Sequence, residues 1–220
     1  MNPVAAVIFD LDGVLLDSEG VWNAAREQVA LEHGGRWPDD AQRVMMGMSS
    51  TEWSRYMHDQ LAVKLAPEEI SETVVAAMKG LYRKHLPLLP DARSTVIALA
   101  ACWPLGLASS ANRPIIDLVL ELAGLAQCFT VTISAEEVAH GKPAPDVYLE
   151  AARRLGVSPA RCVAIEDSAN GIRSADTAGM AVIAVPNREF PPTPDALALA
   201  DDVLDALAEL TPDHVARARP

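Results

Sequence analysis

The chain has 220 residues, half of them hydrophobic, which is enough for one domain or for a core carrying a smaller insert, and too apolar for a disordered chain. Its formal net charge of -12 repels nucleic-acid phosphates and anionic lipid, so neither nucleic acid nor a membrane is an expected partner. Three scattered cysteines, Cys102, Cys128 and Cys162, lack disulfide or metal spacing and read as plain buried thiols of a reducing, cytoplasmic setting.

Residues 1–10 carry no basic region, and acids interrupt the apolar run, which argues against a signal peptide or a membrane span. Residues 4–9 are a short, continuous apolar run rich in β-branched side chains, the pattern of a strand buried on both faces. From about residue 17 to 86 no buried strand follows, and helical patterns cover 22–32, 39–46, 51–61 and 67–84. Proline-punctuated Leu86-Pro87-Leu88-Leu89-Pro90 then leads back to alternation. Strands are expected at 104–108, 129–133, 161–165 and 181–185, with a weaker one at 202–204. Helices are expected at 92–101, 113–123, 145–155 and 168–178, and Gly124, Gly156 and Gly179 stand where helices should stop. The tail after Thr211 is expected to fray.

This alternation predicts an α/β fold: a Rossmann-like, doubly wound parallel sheet in a three-layer α/β/α core, formed by residues 1–16 and 87–220. Residues 17–86 are expected to form an all-helical insert after the first strand.

Ligands of such sheets bind at the carboxyl ends of the strands, so the residues after each strand carry the information. The first strand ends in Asp10-Leu11-Asp12-Gly13; carboxylates at i and i+2 of a strand share a face, and two so close need a cation or a shared proton. The second ends in Ser109-Ser110-Ala111-Asn112, whose hydroxyls and backbone N–H groups suit a phosphate and equally an ordinary helix cap. Gly141-Lys142-Pro143-Ala144-Pro145 follows the third, with prolines fixing where the lysine leaves the backbone. Glu166-Asp167-Ser168 follows the fourth, either as hard-cation ligands or as acids favouring a helix dipole. Each cluster alone has an ordinary structural explanation. Together they supply carboxylates for a cation, a lysine to neutralise phosphate and donors for its oxygens.

In order and spacing, Asp10-Leu11-Asp12-Gly13, Ser109, Lys142 and Glu166-Asp167 resemble the motifs of the haloacid dehalogenase superfamily, in its phosphatase and β-phosphoglucomutase-like branch. The resemblance covers nearly the whole chain, and the helical insert falls where that branch carries a cap domain. It implies a magnesium-dependent phosphoric monoester hydrolase acting on a small phosphorylated metabolite, such as a sugar phosphate or phosphoglycolate. Asp10 would be the nucleophile forming an aspartyl-phosphate and Asp12 the acid/base, with Lys142 and Ser109 stabilising the transition state. Magnesium would be held by Asp10, the Asp12 backbone carbonyl and Asp167, with Glu166 direct or one shell out. Ser110 and Asn112 would help to hold phosphate or substrate. The presence of Asp12 favours phosphoryl transfer over carbon–halogen chemistry, which needs no leaving-group acid.

The insert's expected specificity loop is Met45-Met46-Gly47-Met48-Ser49-Ser50, with Gly47, Met48 and Ser49 as substrate contacts or, equally, cap core. Trp22 and Trp53 are expected to serve packing. The resembling mutases carry histidine where Trp22 stands and arginine where Ser50 stands. With Arg43 and Arg55 expected in solvent, no cationic anchor for a distal phosphate is evident, which favours hydrolysis over a phosphohexomutase. A non-enzymatic phosphometabolite sensor is the remaining alternative, opposed by the complete set of charged motif residues. A monomer or weak homo-oligomer is expected.

Overall fold

The computed structural model describes residues 3–46, 48–188 and 190–218. Six parallel strands form one sheet in the order β3-β2-β1-β4-β5-β6: β1 (Ala6–Phe9), β2 (Leu105–Ser109), β3 (Phe129–Ser134), β4 (Cys162–Glu166), β5 (Ala181–Ala184) and β6 (Asp202–Val203). The helices are α1 (Glu19–Glu32), α2 (Ala41–Met45), α3 (Ser50–Asp59), α4 (Pro67–Lys84), α5 (Ala92–Ala100), α6 (Arg113–Ala123), α7 (Asp146–Leu155), α8 (Ala169–Thr177), α9 (Pro194–Leu197) and α10 (Pro212–Arg217).

The period-2 geometry of a strand explains the two cores. Val7 and Phe9 of β1 join Leu105, Leu107, Val163 and Ile165 on one face, under Val96 of α5 and Ile115, Ile116 and Val119 of α6. Ala6 and Ile8 join Ala108, Ala164 and Val182 on the other, under Val147 and Ala151 of α7 and Ile172 and Ala175 of α8. Strands covered on both sides need apolar residues at every position, hence continuous runs rather than alternating ones. Strand order reverses about β1, which has β2 on one side and β4 on the other. The crevice of a doubly wound sheet opens at such a reversal, so the carboxyl ends of β1 and β4 flank it.

Helices α1 to α4 lie between β1 and α5 in the chain, and α3 and α1 both pack on α4. Their buried faces, including Val29, Met57, Ile70, Val74 and Met78, continue the cluster on the Val7 face of the sheet. The chain leaves and re-enters the sheet region through two crossings that run side by side. Leu16 bridges Leu88 antiparallel, Asp17 N–H donates to the Pro87 carbonyl (2.9 Å), and Leu89 N–H donates to the Leu15 carbonyl (3.0 Å).

Two expectations are corrected. Among the described residues beyond Thr211, 212–217 form α10 rather than fray: Thr211 Oγ1 accepts from the His214 N–H (3.4 Å) to cap it, and Val215 is fully buried in the core. A six-residue helix buries one side chain and shows no periodicity, and the Thr-Pro start signal was the only cue. Nor are the thiols uniformly buried, since Cys162 is buried, Cys128 half-buried and Cys102 exposed, all of them free. Among the described residues no helix is long and apolar enough to cross a membrane.

Val215→Ala should therefore lower unfolding free energy by on the order of 1–3 kcal/mol in urea titrations. A change within about 0.5 kcal/mol, as at a surface position, would mean that the tail does not pack.

Candidate active site

Asp10 follows β1 directly, and its N–H donates to the Ile165 carbonyl of β4 (3.0 Å), which fixes the backbone at the crevice. Lys142, ahead of α7, donates from Nζ to Asp10 Oδ1 (2.8 Å) and to Glu166 Oε1 (2.6 Å). Glu166 ends β4 and is fully buried. Its Oε1 also accepts from the Tyr148 hydroxyl (2.7 Å), while Oε2 accepts from the backbone N–H groups of Asp167 (3.1 Å) and Ser168 (3.3 Å). The Tyr148 ring lies 5.0 Å from Lys142 Nζ, and the Ser174 hydroxyl of α8 donates to the Ala144 carbonyl (2.6 Å), tying the lysine loop to the helix after β4.

Asp10, Glu166 and Asp167 each offer a carboxylate oxygen, all within 4.8 Å of one another and all buried. Three carboxylates facing one ammonium in low dielectric are an unbalanced set. Burial pushes Asp10 up to about 7, with Glu166 and Asp12 adding to the effect and Lys142 opposing it. Burial likewise raises Asp167 well above the carboxylate range. For Lys142 burial acts downward, but Asp10 and Glu166 outweigh it, and the ammonium is held above its ordinary value. A hard divalent cation fits this donor set by charge and by ligand type. The openings differ between the acids: both Glu166 oxygens are engaged, whereas among the described residues no hydrogen bond reaches the Asp167 side chain.

Two glycines make room for these acids. A Cβ on Gly13, which has φ +81°, would fall 1.9 Å from Asp167 Oδ2. One on Gly171 of α8 would fall 1.9 Å from the Glu166 carboxyl carbon.

Asp12 stands apart from the cluster. Trp22 of α1 donates its indole N–H to Asp12 Oδ1 (3.1 Å), so a side chain of the helical segment holds a carboxylate of the sheet. Burial raises this carboxyl above its ordinary value, and the Trp22 bond and the nearby Arg26 charge act against the rise.

The strand ends and the helices enclose a cavity of about 500 Å³. Asp10, Asp12, Lys142, Asp167 and Ser110 line it from the sheet side, and Trp22, Arg26, Met48 and Trp53 from the helices. Ser109 is buried beneath, its hydroxyl oxygen accepting from the Ala111 N–H (3.0 Å). Asn112 is used differently from the sequence expectation. Its side-chain amide donates to Glu136 Oε1 (2.7 Å) and Ser71 Oγ (3.3 Å), in the seam between sheet and helices rather than in the cavity lining. Glu136 also accepts from the Ser50 hydroxyl (3.1 Å) and, through Oε2, from the N–H of Arg113 at the start of α6 (3.0 Å). In the expected specificity loop Met48 lines the cavity, Ser49 caps α3 in a box with Glu52, and Gly47 lies outside the described residues.

The sequence shows no evident cationic anchor for a distal phosphate, yet the helices bring two cations to the cavity. Arg43 is exposed yet lies on the cavity rim, and Arg26 is 6% exposed on the cavity wall. The Arg26 guanidinium sits 4.9 Å from the Trp22 ring and 5.1 Å from the Trp53 ring, so both indoles serve the site as well as the packing. Burial lowers its pKa to about 10, against the opposing charges of Glu19 and Asp12. Arg26 had a signal: it lies on the buried stripe Trp22, Ala25, Arg26, Val29, Ala30, where a charge is out of place. Tyr148 and Glu136 read as an ordinary helix core position and a solvated acid, and nothing local marks them.

The glycines generate a paired prediction. Gly80 of α4 has open space around its Cβ position, so Gly80→Ala should stabilise the fold by roughly 0.5–1 kcal/mol through helix propensity. Gly171→Ala gains the same propensity but drives a methyl into the Glu166 carboxyl, and should destabilise by about 1–3 kcal/mol in the same urea titration. Equal effects at the two sites would contradict the close approach.

Comparison with known proteins agrees with this geometry. Hexitol phosphatase B of Escherichia coli (strain K12) is 34% identical over 218 residues, covering 94% of this chain and 95% of that protein. A probable pseudouridine-5'-phosphatase of Drosophila melanogaster is 32% identical over 221 residues, covering 97% and 94%. Among solved structures, CbbY from Rhodobacter sphaeroides in complex with phosphate superposes with a TM-score of 0.83 at 27% identity, covering 94% of this chain and 96% of that one. The β-phosphoglucomutase of Clostridium difficile gives 0.82 at 25% identity, covering 96% and 95%. The family model for haloacid dehalogenase-like hydrolases matches residues 4–179, which span β1 to α8 and the carboxyl ends of β1 to β4, and the chain belongs to that family.

Proposed function

We propose that the protein is a magnesium-dependent phosphatase of small phosphorylated metabolites, working through an aspartyl-phosphate on Asp10. The observation that carries this is the division of labour between two carboxylates. Asp10 is bound by Lys142 at 2.8 Å within the acidic cluster, and Asp12 is held away from it by Trp22 at 3.1 Å, on the same cavity. A nucleophile beside a cation and a separate, positioned acid are what transfer of a phosphoryl group to a carboxylate requires.

Asp10 and Asp167 would hold the magnesium, with the Asp12 carbonyl, and Glu166 would orient the lysine and the backbone after β4. When bound, the ion supplies positive charge that offsets the phosphate and the clustered acids. Asp10 attacks phosphorus as the ester P–O bond breaks, and Asp12 gives its proton to the departing oxygen. Asp12, now ionised, takes a proton from the water that attacks the phospho-Asp10, which releases inorganic phosphate and restores both carboxyls. Lys142 and the backbone after Ser109, including Ser110, neutralise and grip the phosphoryl oxygens. The raised pKa of Asp12 suits it to donate first and accept later. Residues 17–86 would act as a cap that excludes water and contacts the organic part of the ester.

Release of phosphate from a panel of phosphate esters, with magnesium and with chelator, tests the reading. Asp10→Asn should lower turnover by on the order of 10⁴-fold or more while the fold persists. Asp12→Asn should still give a burst of one leaving group per chain from an activated ester, followed by release slowed roughly 10²- to 10⁴-fold. Retained turnover in Asp10→Asn contradicts the covalent route, and interconversion of hexose phosphates faster than phosphate release would make the protein a mutase.

Metal dependence should also change with pH. Asp10 is raised from 3.8 to about 7, so in chelator its contribution to stability is complete below the lower value and is lost as pH rises through the higher one. Magnesium competes with those protons. The rise in Tm on adding magnesium should therefore be larger at about pH 8 than at about pH 5.5, and a rise independent of pH would argue against binding at Asp10.

A further inference from the structure

Arg26 is a buried cation whose hydrogen-bonding groups have no partner among the described residues. Among the described residues it makes no hydrogen bond, and its Nε is fully buried without one. A guanidinium carries five N–H donors and does not lose its charge under ordinary conditions, so burying it this way is unfavourable unless something accepts from it. The two indole faces at 4.9 and 5.1 Å stabilise its charge and fix its plane, but they take none of those bonds in the way an oxygen does. The group thus sits on the wall of the cavity that Asp10 and Lys142 also line.

Its place relative to the reaction follows from Trp22. That indole donates to Asp12 and carries Arg26 against its ring. Asp12 is the acid for the leaving oxygen in the function proposed above, on which this inference rests. Arg26 therefore stands behind the acid, on the side of the organic leaving group rather than of the transferred phosphoryl.

The surrounding charge narrows what that group is. Glu19 and Asp12 both act on Arg26, and Glu19 also lines the cavity. Arg26 and Arg43 are set against Glu19 and Asp12 along this part of the cavity, which leaves little excess of positive charge and disfavours a second phosphate or a carboxylate there. Neutral hydroxyls meet both signs, accepting from the guanidinium and donating to carboxylates. We propose that Arg26, clamped between Trp22 and Trp53, binds the hydroxyl groups of the leaving alcohol and selects monophosphates of polyhydroxylated carbon chains over bisphosphates and phosphorylated carboxylic acids.

The test compares wild type, Arg26→Lys and Arg26→Met on a hexitol monophosphate, a hexose bisphosphate, 2-phosphoglycolate and p-nitrophenyl phosphate, which has no hydroxyls. Wild type should prefer the hexitol monophosphate. Arg26→Met should lower kcat/KM for it roughly 10- to 100-fold more than for p-nitrophenyl phosphate, mainly through KM, with Arg26→Lys in between. Equal losses on both esters would reduce Arg26 to a structural residue, and a wild-type preference for bisphosphate or phosphoglycolate would overturn the substrate class. Calorimetric binding of the hexitol monophosphate and of inorganic phosphate to Asp10→Asn, with and without Arg26→Lys, needs no turnover. Weakening confined to the hexitol ester supports the proposal, and equal or absent weakening rejects it. Wild-type inactivity on every ester, by contrast, rejects the phosphatase reading while the calorimetry still decides on Arg26.

Discussion

Lys142 holds together two acids that would otherwise repel each other. Asp10 comes from the end of β1 and Glu166 from the end of β4, and the ammonium bonds to both within 2.8 Å. Around this contact the neighbouring structure is arranged in layers. Tyr148 and the backbone after Glu166 fill the remaining acceptor positions of the glutamate, Ser174 ties down the lysine loop, and Gly171 stands back to let the carboxyl in. A glutamate with every acceptor occupied is a poor direct ligand but a firm post for the lysine. This leaves Asp10 and Asp167 as the carboxylates with capacity for a cation.

A second polar hub joins the sheet to the helical segment. Glu136 follows β3, caps the start of α6 through the Arg113 N–H, and accepts from Asn112 and from Ser50 of α3. Where the resembling mutases have an arginine, this chain has a small hydroxyl that spends its hydrogen bond on the seam. Positive charge on the helical side comes from Arg26 of α1, which rests between two indoles, and from Arg43 of α2.

Much of the sheet is legible in the sequence because strands buried on both faces have few ways to look. The runs at residues 4–9, 104–108 and 161–165 lie within one or two residues of β1, β2 and β4, and the strand-end rule then directs attention to Asp10, Lys142, Glu166 and Asp167. Arg113–Ala123 and Pro67–Lys84 are helices over the full expected spans. What stays hidden depends on pairings across the fold. Asn112 has the position and chemistry of a phosphate ligand, and only the nearness of Glu136 and Ser71 redirects its amide. Tyr148 reaches Glu166 across 18 residues and Trp22 reaches Asp12 from another layer, and neither contact leaves a periodic trace. Arg26 was readable in principle as a charge on an apolar stripe, but a rule that sends arginine to solvent passes over it.

The paired crossings at Leu16 and Leu88 carry a mechanical consequence. A helical unit joined to a sheet by one strand could swivel as well as tilt. Joined by two chain segments that are bonded to each other, it is tied against twisting more firmly than by one. Trp22 stands a few residues beyond the bridge at Leu16, on the first helix after it. A doubly tied base of this kind would keep the indole in register with the Asp12 oxygen it donates to if the helices tilt.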